Sequence, residues 1–359
     1  MLKIALVGCG KAGENHAREI SMLPEAELVA VCDAESLMAE QFAVRFAVQR
    51  HYADFSRMIA RERPDVVHIA TPPQSHVSLA MEALNAGCHV VIEKPLAMKH
   101  SAAEALIRHA VRQERKLTIA HSYHFDPICR QMRDLLDDGI VGEPVHVESF
   151  MGYALDGNFG LPVLADAGHW VHGLPGKLAH NVIDHLLNKV TEFLAEDRPQ
   201  IMAHAWQHAP RSEEAFAMPD ELRIMLKGAR VSAYATFSAH SRPVSHYLTL
   251  FGTRNTLHLD FVAGTLTQRS TPSLPGALGR LSSGFDQAWK HAQSASSNIV
   301  RFARGEYDQM SGLRYLFARF YDCIRDGTSP PIPYADILRV SALVDEVFTQ
   351  CPSERRHTA

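Results

Sequence analysis

Three glycines in the G-x-G-x-x-G spacing, Gly8-Cys9-Gly10-Lys11-Ala12-Gly13, directly follow the apolar run Leu2-Lys3-Ile4-Ala5-Leu6-Val7. Strand, tight turn and helix in that order can hold a dinucleotide. Gly8 permits the turn, Gly10 lets the backbone approach a pyrophosphate, and Gly13 lets the helix pack close on the strand. Lys11 and Ala12 open the helix, whose amino terminus offers unpaired N–H groups and partial positive charge to phosphates. Asp33 ends a second apolar run, Leu28-Val29-Ala30-Val31-Cys32, 20 residues after Gly13. At that offset a carboxylate meets the adenine ribose 2′-hydroxyl. It would repel a 2′-phosphate, and Ala34-Glu35 offers no basic replacement, so the expected cofactor is NAD(H) rather than NADP(H).

Other chemistries find less support. The 21 histidines include pairs at workable spacing for a metal, His169/His172 and His204/His208, but no cysteine or carboxylate completes a recognisable ligand set, so no metal is expected. The six cysteines are scattered without a C-x-x-C, the usage of free thiols in a reducing cytosol. A net charge of −4 with no basic run argues against a nucleic-acid partner. No apolar stretch reaches the roughly 18 residues of a membrane span. The amino-terminal apolar run passes straight into the glycine loop and is not a signal peptide.

The elements that would position these residues alternate regularly at first. Helices are expected over Glu14–Met22, Glu35–Val48, Asp54–Arg61, Gln74–Ala86 and Ser101–Arg115. Between and after them stand the buried runs Val66–Ala70, His89–Ile92 and Leu117–Ala120. Continuous Val/Ile runs separated by helices indicate a parallel sheet covered on both faces. Near residue 121 the pattern changes to strands at hairpin spacing: Val145–Phe150, Ile201–His208, Leu222–Lys227, Val231–Ser238, Tyr247–Gly252 and Thr256–Phe261. Helices over Pro127–Asp138 and Ala179–Leu194 accompany them. The expected fold is thus an α/β Rossmann domain, 1–121, followed by an α+β domain, 122–333, with a large, mainly antiparallel open sheet. One face of that sheet is packed by helices and the other is left for a homodimer or homotetramer partner. A C-terminal helix and tail, 334–359, is expected to pack back on the first domain.

Residues 264–305 form an insertion. Proline, serine and glycine dominate to Gly284, the composition of a surface loop. Beyond it Phe285, Ala288, Trp289, Ala292, Ile299 and Phe302 recur at helical spacing beside Lys290, Arg301 and Arg304. That segment suits a membrane-surface or partner-binding helix, or one packing on its own domain or a second subunit.

The order of these parts resembles the Gfo/Idh/MocA oxidoreductases, the family of glucose-fructose oxidoreductase and inositol dehydrogenase. The glycine loop with Glu14-Asn15-His16-Ala17 is similar to its phosphate loop. Thr71-Pro72-Pro73-Gln74-Ser75-His76 resembles its T-P-x-x-x-H loop, which lies along the cofactor. Glu93-Lys94-Pro95 resembles its most specific motif, whose lysine reaches the substrate. His124-Phe125-Asp126-Pro127 and Asp138-Gly139-Ile140-Val141-Gly142-Glu143-Pro144 resemble the opening of its second domain. The resemblance therefore implies cofactor contacts from Thr71, Pro72, His76, Glu93 and Lys94. On the segment matching the family's catalytic helix, Asn181 and His185 share one face. His185 matches the family histidine, and Asn181 stands where the family carries aspartate. Asp184 points about 100° away from its neighbour His185.

What the resemblance implies is an NAD-dependent oxidoreductase acting on a carbinol of a sugar, cyclitol or sugar derivative. His185 would take the hydroxyl proton, Lys94 would steady the oxyanion, and Asn181 would orient the hydroxyl. Two alternatives share the fold: redox-neutral glycosidases or epimerases, and a cofactor-binding regulator without catalysis.

Overall fold

The computed structural model describes residues 1–157, 160–208, 218–272, 274–304 and 307–351. It divides into two compact units, Met1–Phe125 with Gln309–Ala342, and Asp126–Asp308 with Leu343–Ala359. The boundaries drawn from sequence stood at 121 and 333, and the tail beyond Cys351 lies outside the described residues.

The first unit alternates strand and helix: β1 (Leu2–Val7), α1 (Lys11–Ser21), β2 (Ala26–Cys32), α2 (Ser36–Arg45), β3 (His51–Tyr52), α3 (Phe55–Glu62), β4 (Val66–Ile69), α4 (His76–Asn85), β5 (His89–Ile92), α5 (His100–Arg112) and β6 (Leu117–Ile119). All strand pairings are parallel, in the order β3-β2-β1-β4-β5-β6. Apolar runs fill the strands because both faces are covered: Ile4, Val66, Val67, Val90, Val91 and Ile92 are fully buried. The same core takes in Leu316, Phe317, Phe320 and Tyr321 from a late helix, Ser311–Asp326.

The second unit continues with α6 (Pro127–Asp137), β7 (Pro144–Gly152), α7 (Gly160–Ala165) and α8 (Lys177–Thr191). Next come β8 (Gln200–Trp206), β9 (Glu221–Lys227), β10 (Ser232–Ser238), β11 (His246–Gly252), β12 (Asn255–Asp260), β13 (Thr265–Ser270) and α9 (Gly276–Ala303). The late helix of the first unit is α10 (Ser311–Asp326). The last, α11 (Tyr334–Gln350), is divided between the units at Ala342. The seven strands lie in the order β13-β12-β11-β7-β10-β9-β8, antiparallel except for β10 against β7. Alternation is clear on β9, where Leu222, Ile224 and Leu226 are buried while Arg223, Met225 and Lys227 face out. α8 packs on β7 and β10 at the middle of the sheet.

One expectation is corrected. Residues 264–284 are not a surface loop. Thr265-Leu266-Thr267 are β-formers that pair with β12, and α9 starts as early as Gly276. Three of the four glycines in that stretch, Gly276, Gly279 and Gly284, belong to the helix. A Cβ on Gly279 would lie 2.1 Å from the Leu274 carbonyl oxygen, so close packing, not a turn, demands that glycine.

Candidate active site

In the first unit the relevant residues gather at the carboxyl ends of the strands, beside β1 and β4, where the order of connections reverses. Such a switch point opens the crevice in which α/β sheets bind ligands. Gly8 has φ +98°, and its N–H donates to the Cys32 carbonyl at 2.8 Å. A Cβ there would sit 2.6 Å from the Ala70 carbonyl, and one on Gly13 would sit 2.0 Å from the Gly8 oxygen. Gly10 differs: nothing lies within 4 Å of where its Cβ would be. It precedes Lys11 and Ala12 at the amino terminus of α1, and no side chain caps that terminus. The loop thus leaves an open cradle beside uncapped N–H groups, which a phosphate fits. Lys11 leans along the helix to pair with Glu14 at 3.2 Å.

Asp33 is tied to this loop. Its Oδ2 accepts the Cys9 N–H at 2.8 Å and its Oδ1 the Glu35 N–H at 3.0 Å. That uses two of the roughly four acceptor positions of an ionised carboxylate. The glycines make a paired prediction. Gly13→Ala destabilises the fold by about 1–3 kcal/mol because its Cβ has no room. Gly10→Ala stays within about 1 kcal/mol of the parent, as a change at an N-cap with open space, yet loses dinucleotide binding. Chemical denaturation and nucleotide titration of both variants check this.

The Thr71 loop and the Glu93-Lys94-Pro95 turn are clamped together by His76. This fully buried ring lies 2.8 Å from the Pro95 carbonyl oxygen and 2.8 Å from that of Thr71. Burial pushes its pKa down against the pull of both carbonyls, and each carbonyl oxygen accepts from whichever ring nitrogen carries a proton. Its nitrogens are taken up by the two loops, which makes His76 a brace between them. The Thr71 and Ser75 hydroxyls lie 2.7 Å apart, and Ser75 donates to the Pro72 carbonyl at 2.9 Å. Pro72 itself is exposed, Lys94 is half-buried, and the Lys94–Pro95 peptide bond is cis.

Behind the turn runs a buried chain of polar groups that the sequence did not disclose. His16 Nε2 lies 3.1 Å from Glu93 Oε1, His16 Nδ1 lies 2.9 Å from His68 Nδ1, and His68 Nε2 lies 2.9 Å from the Tyr321 hydroxyl. His16, His68 and Tyr321 are fully buried. A carboxylate only accepts. With both rings neutral, Tyr321 donates to His68, His68 to His16, and His16 to Glu93. The other Glu93 oxygen accepts the Lys94 N–H at 3.1 Å. Burial pushes the Glu93 carboxyl up, but His16 and Lys94 outweigh it and hold the group below the usual range. His16 and Glu93 stood in separate motifs and His68 inside the apolar run Val66–Ala70, with nothing in the sequence to join them.

In the second unit α8 carries Asn181 and His185 on adjacent turns, Asn181 buried and His185 half-buried. One turn further, Lys189 is buried, lies 2.7 Å from His246 Nε2, and sits 5.1 Å from the Phe261 ring centre. Burial pushes its amine down to about 7. Lys189 continues the four-residue spacing of Asn181 and His185, a regularity the sequence reading passed over. The start of α8 is set by Gly176, where a Cβ would lie 1.9 Å from the Phe348 ring. His172 lies 2.8 Å from the Val163 carbonyl oxygen. Among the described residues no group of three or more His, Cys, Asp or Glu could hold a metal, and no helix is long and apolar enough to cross a membrane. A cavity of about 660 Å³ in the first unit, lined in part by Arg63, Asp65, His89 and Arg115, opens at the amino ends of the strands, away from the glycine loop.

The architecture pairs a parallel sheet of dinucleotide-binding order with a mixed open sheet. Residues 2–121 match the model of the Gfo/Idh/MocA family, described as an oxidoreductase family with an NAD-binding Rossmann fold. It is 26% identical to a D-apiose dehydrogenase of Paraburkholderia graminis over 96% of this chain and 86% of that protein. It is 30% identical to an inositol 2-dehydrogenase of Salmonella paratyphi B over 41% of this chain and 44% of that protein. Its fold is similar to that of the WlbA dehydrogenase of Bordetella pertussis in complex with NADH and UDP-GlcNAcA. That match has a TM-score of 0.77 and 18% identity, and covers 97% of this chain and 95% of that one.

Proposed function

We propose that the chain is an NAD-dependent dehydrogenase that moves a hydride between nicotinamide and a carbinol carbon of a sugar, cyclitol or sugar derivative. The observation that carries this reading is the open cradle at Gly10 beside the uncapped start of α1, with Asp33 anchored at its rim. The sugar and cyclitol dehydrogenases among its relatives support the substrate class. When bound, the nicotinamide supplies the hydride acceptor or donor. The Gly8–Gly13 loop holds the pyrophosphate, and Asp33 accepts from the ribose hydroxyls with its remaining lone pairs. Thr71, Pro72 and the Glu93-Lys94 turn line the cofactor, and His76 fixes the two loops to each other. Lys94 places its ammonium against the developing oxyanion, and His185 takes the hydroxyl proton. The Asn181 amide donates to and accepts from a substrate hydroxyl but cannot take its proton.

The test begins with nucleotide released from denatured protein, followed by titration and a sugar and cyclitol screen for NADH. Bound NAD(H) with NADH formation supports the reading. Bound NAD(H) with turnover but no net NADH points to redox-neutral chemistry, and no nucleotide binding overturns both. The Asp33 carboxylate makes NAD(H) bind at least about tenfold tighter than NADP(H), a difference of about 1.4 kcal/mol. Asp33→Ser narrows that ratio. Tighter binding of NADP(H) to the unaltered protein would reject the assignment.

A further inference from the structure

α9 is amphipathic the wrong way round for a helix packed on its own domain. The side turned toward β13 is polar. Ser294 Oγ accepts the Leu266 N–H at 3.1 Å, and Asn298 donates to the Ala263 and Gly264 carbonyls at 2.9 and 3.0 Å. Arg301 lies over the Tyr307 ring. The apolar side is exposed: Leu278 at 62%, Leu281 at 65%, Phe285 at 79%, Trp289 at 64%, Ile299 at 70% and Phe302 at 73%.

The exposed face has a strict seven-residue repeat. Leu278, Phe285, Ala292 and Ile299 occupy one heptad position, and Leu281, Ala288, Ala295 and Phe302 the other. All eight are exposed. A 3.5-residue period is the seam that a second helix fits, narrower than the face a helix lays into a core or a bilayer. Its composition is also self-complementary. With two copies laid antiparallel about residue 290, Leu278 faces Phe302, Leu281 faces Ile299, Phe285 faces Ala295 and Ala288 faces Ala292. Large side chains thus meet small ones near the centre and large ones at the ends.

We propose that α9 is a docking element for a second copy of this chain, pairing antiparallel with the same helix through the Leu278–Phe302 seam. The size is sufficient. At about 150–250 Å² for each aromatic side chain, Phe285, Phe302 and the neighbouring Trp289 offer roughly 450–750 Å² per chain before Leu278, Leu281 and Ile299 are added. With those three added, a symmetric pair reaches the range of a stable interface, about 1,200–2,000 Å². A twofold pairing also closes on itself and leaves no second seam open.

The experiment uses the full chain in a Cys351→Ser background. In sedimentation, Phe285→Glu/Ile299→Glu weakens self-association about a hundredfold or more, because each glutamate would be buried unpaired. Both positions are exposed, so an unchanged circular dichroism spectrum is required of the variant. Under mild oxidation Ala288→Cys/Ala292→Cys gives an inter-chain disulfide between residues 288 and 292. Ala295→Cys alone gives none, since its copies would be about 15 Å apart along the axis. Unaltered association of the glutamate variant would overturn the proposal, as would a 295–295 disulfide. So would seam-dependent binding to phosphatidylserine vesicles with no 288–292 disulfide.

Discussion

Replacing Lys94 by alanine is expected to lower kcat by about 10²–10³-fold, the loss that follows removal of one group stabilising a developing oxyanion. NAD(H) affinity should change by less than about threefold, since an interaction made chiefly in the transition state leaves ground-state binding intact. The expectation rests on where Lys94 sits. It is half-buried at the carboxyl end of β5, between a carboxylate that accepts its N–H and a proline carbonyl within 2.8 Å of His76. Its main chain is therefore held independently of any ligand. Lys94→Arg keeps the charge but replaces a compact ammonium by a planar fork, so it should recover only part of the rate. Steady-state kinetics with a screened sugar, beside nucleotide titration of the same variants, measures both quantities. A Lys94→Ala enzyme within about threefold of the parent kcat would remove Lys94 from the oxyanion role.

Much of the architecture was legible because its signals are local. The glycine loop, the Val/Ile runs and the alternation on β9 each declare an element within a few residues. Pro330, Pro331 and Pro333 stand between the helices Ser311–Asp326 and Tyr334–Gln350, where neither helix continues. Composition misled where one residue type serves two purposes. Gly276, Gly279 and Gly284 suggested a loop, yet they stand within the first turns of a 28-residue helix.

The candidate site shows the same division more sharply. Gly8, Gly13 and Asp33 follow from spacing alone. The His16–His68–Tyr321 chain does not, because its partners are 52 and 253 residues apart and nothing local joins them. Such a network also changes what the motif around Lys94 consists of. Glu93 faces His16 and the Lys94 N–H, so its carboxylate orients the turn from behind.

Three histidines of the first unit give its stability a steep dependence on pH. Burial pushes His68 well below its usual pKa, with His16 adding to the effect. It lowers His76 as well, beside Glu93 and Lys94, and takes His89 down to about 4 with help from Arg115 and Lys116. All three have folded values below the unfolded reference of about 6.5, so the unfolded chain takes up protons first as the pH falls. Their stabilisation is complete above about pH 6.5 and is lost on acidification, at a limiting slope of about 1.4 kcal/mol per pH unit for each histidine. For His89 that loss ends near pH 4. Lys189, with its amine near 7, is charged in both states below that value and adds little slope there. Glu93 and Glu62, held below their usual 4.5, contribute only at still lower pH. Urea unfolding at pH 7, 6 and 5 should therefore show stability falling as the pH is lowered, most steeply over the last unit. His89→Gln, at the half-buried start of β5, should reduce the slope by about one proton's share without disturbing the His16–His68–Tyr321 chain. A flat unfolding free energy between pH 6.5 and 5 would mean that these rings do not stay neutral in the folded protein.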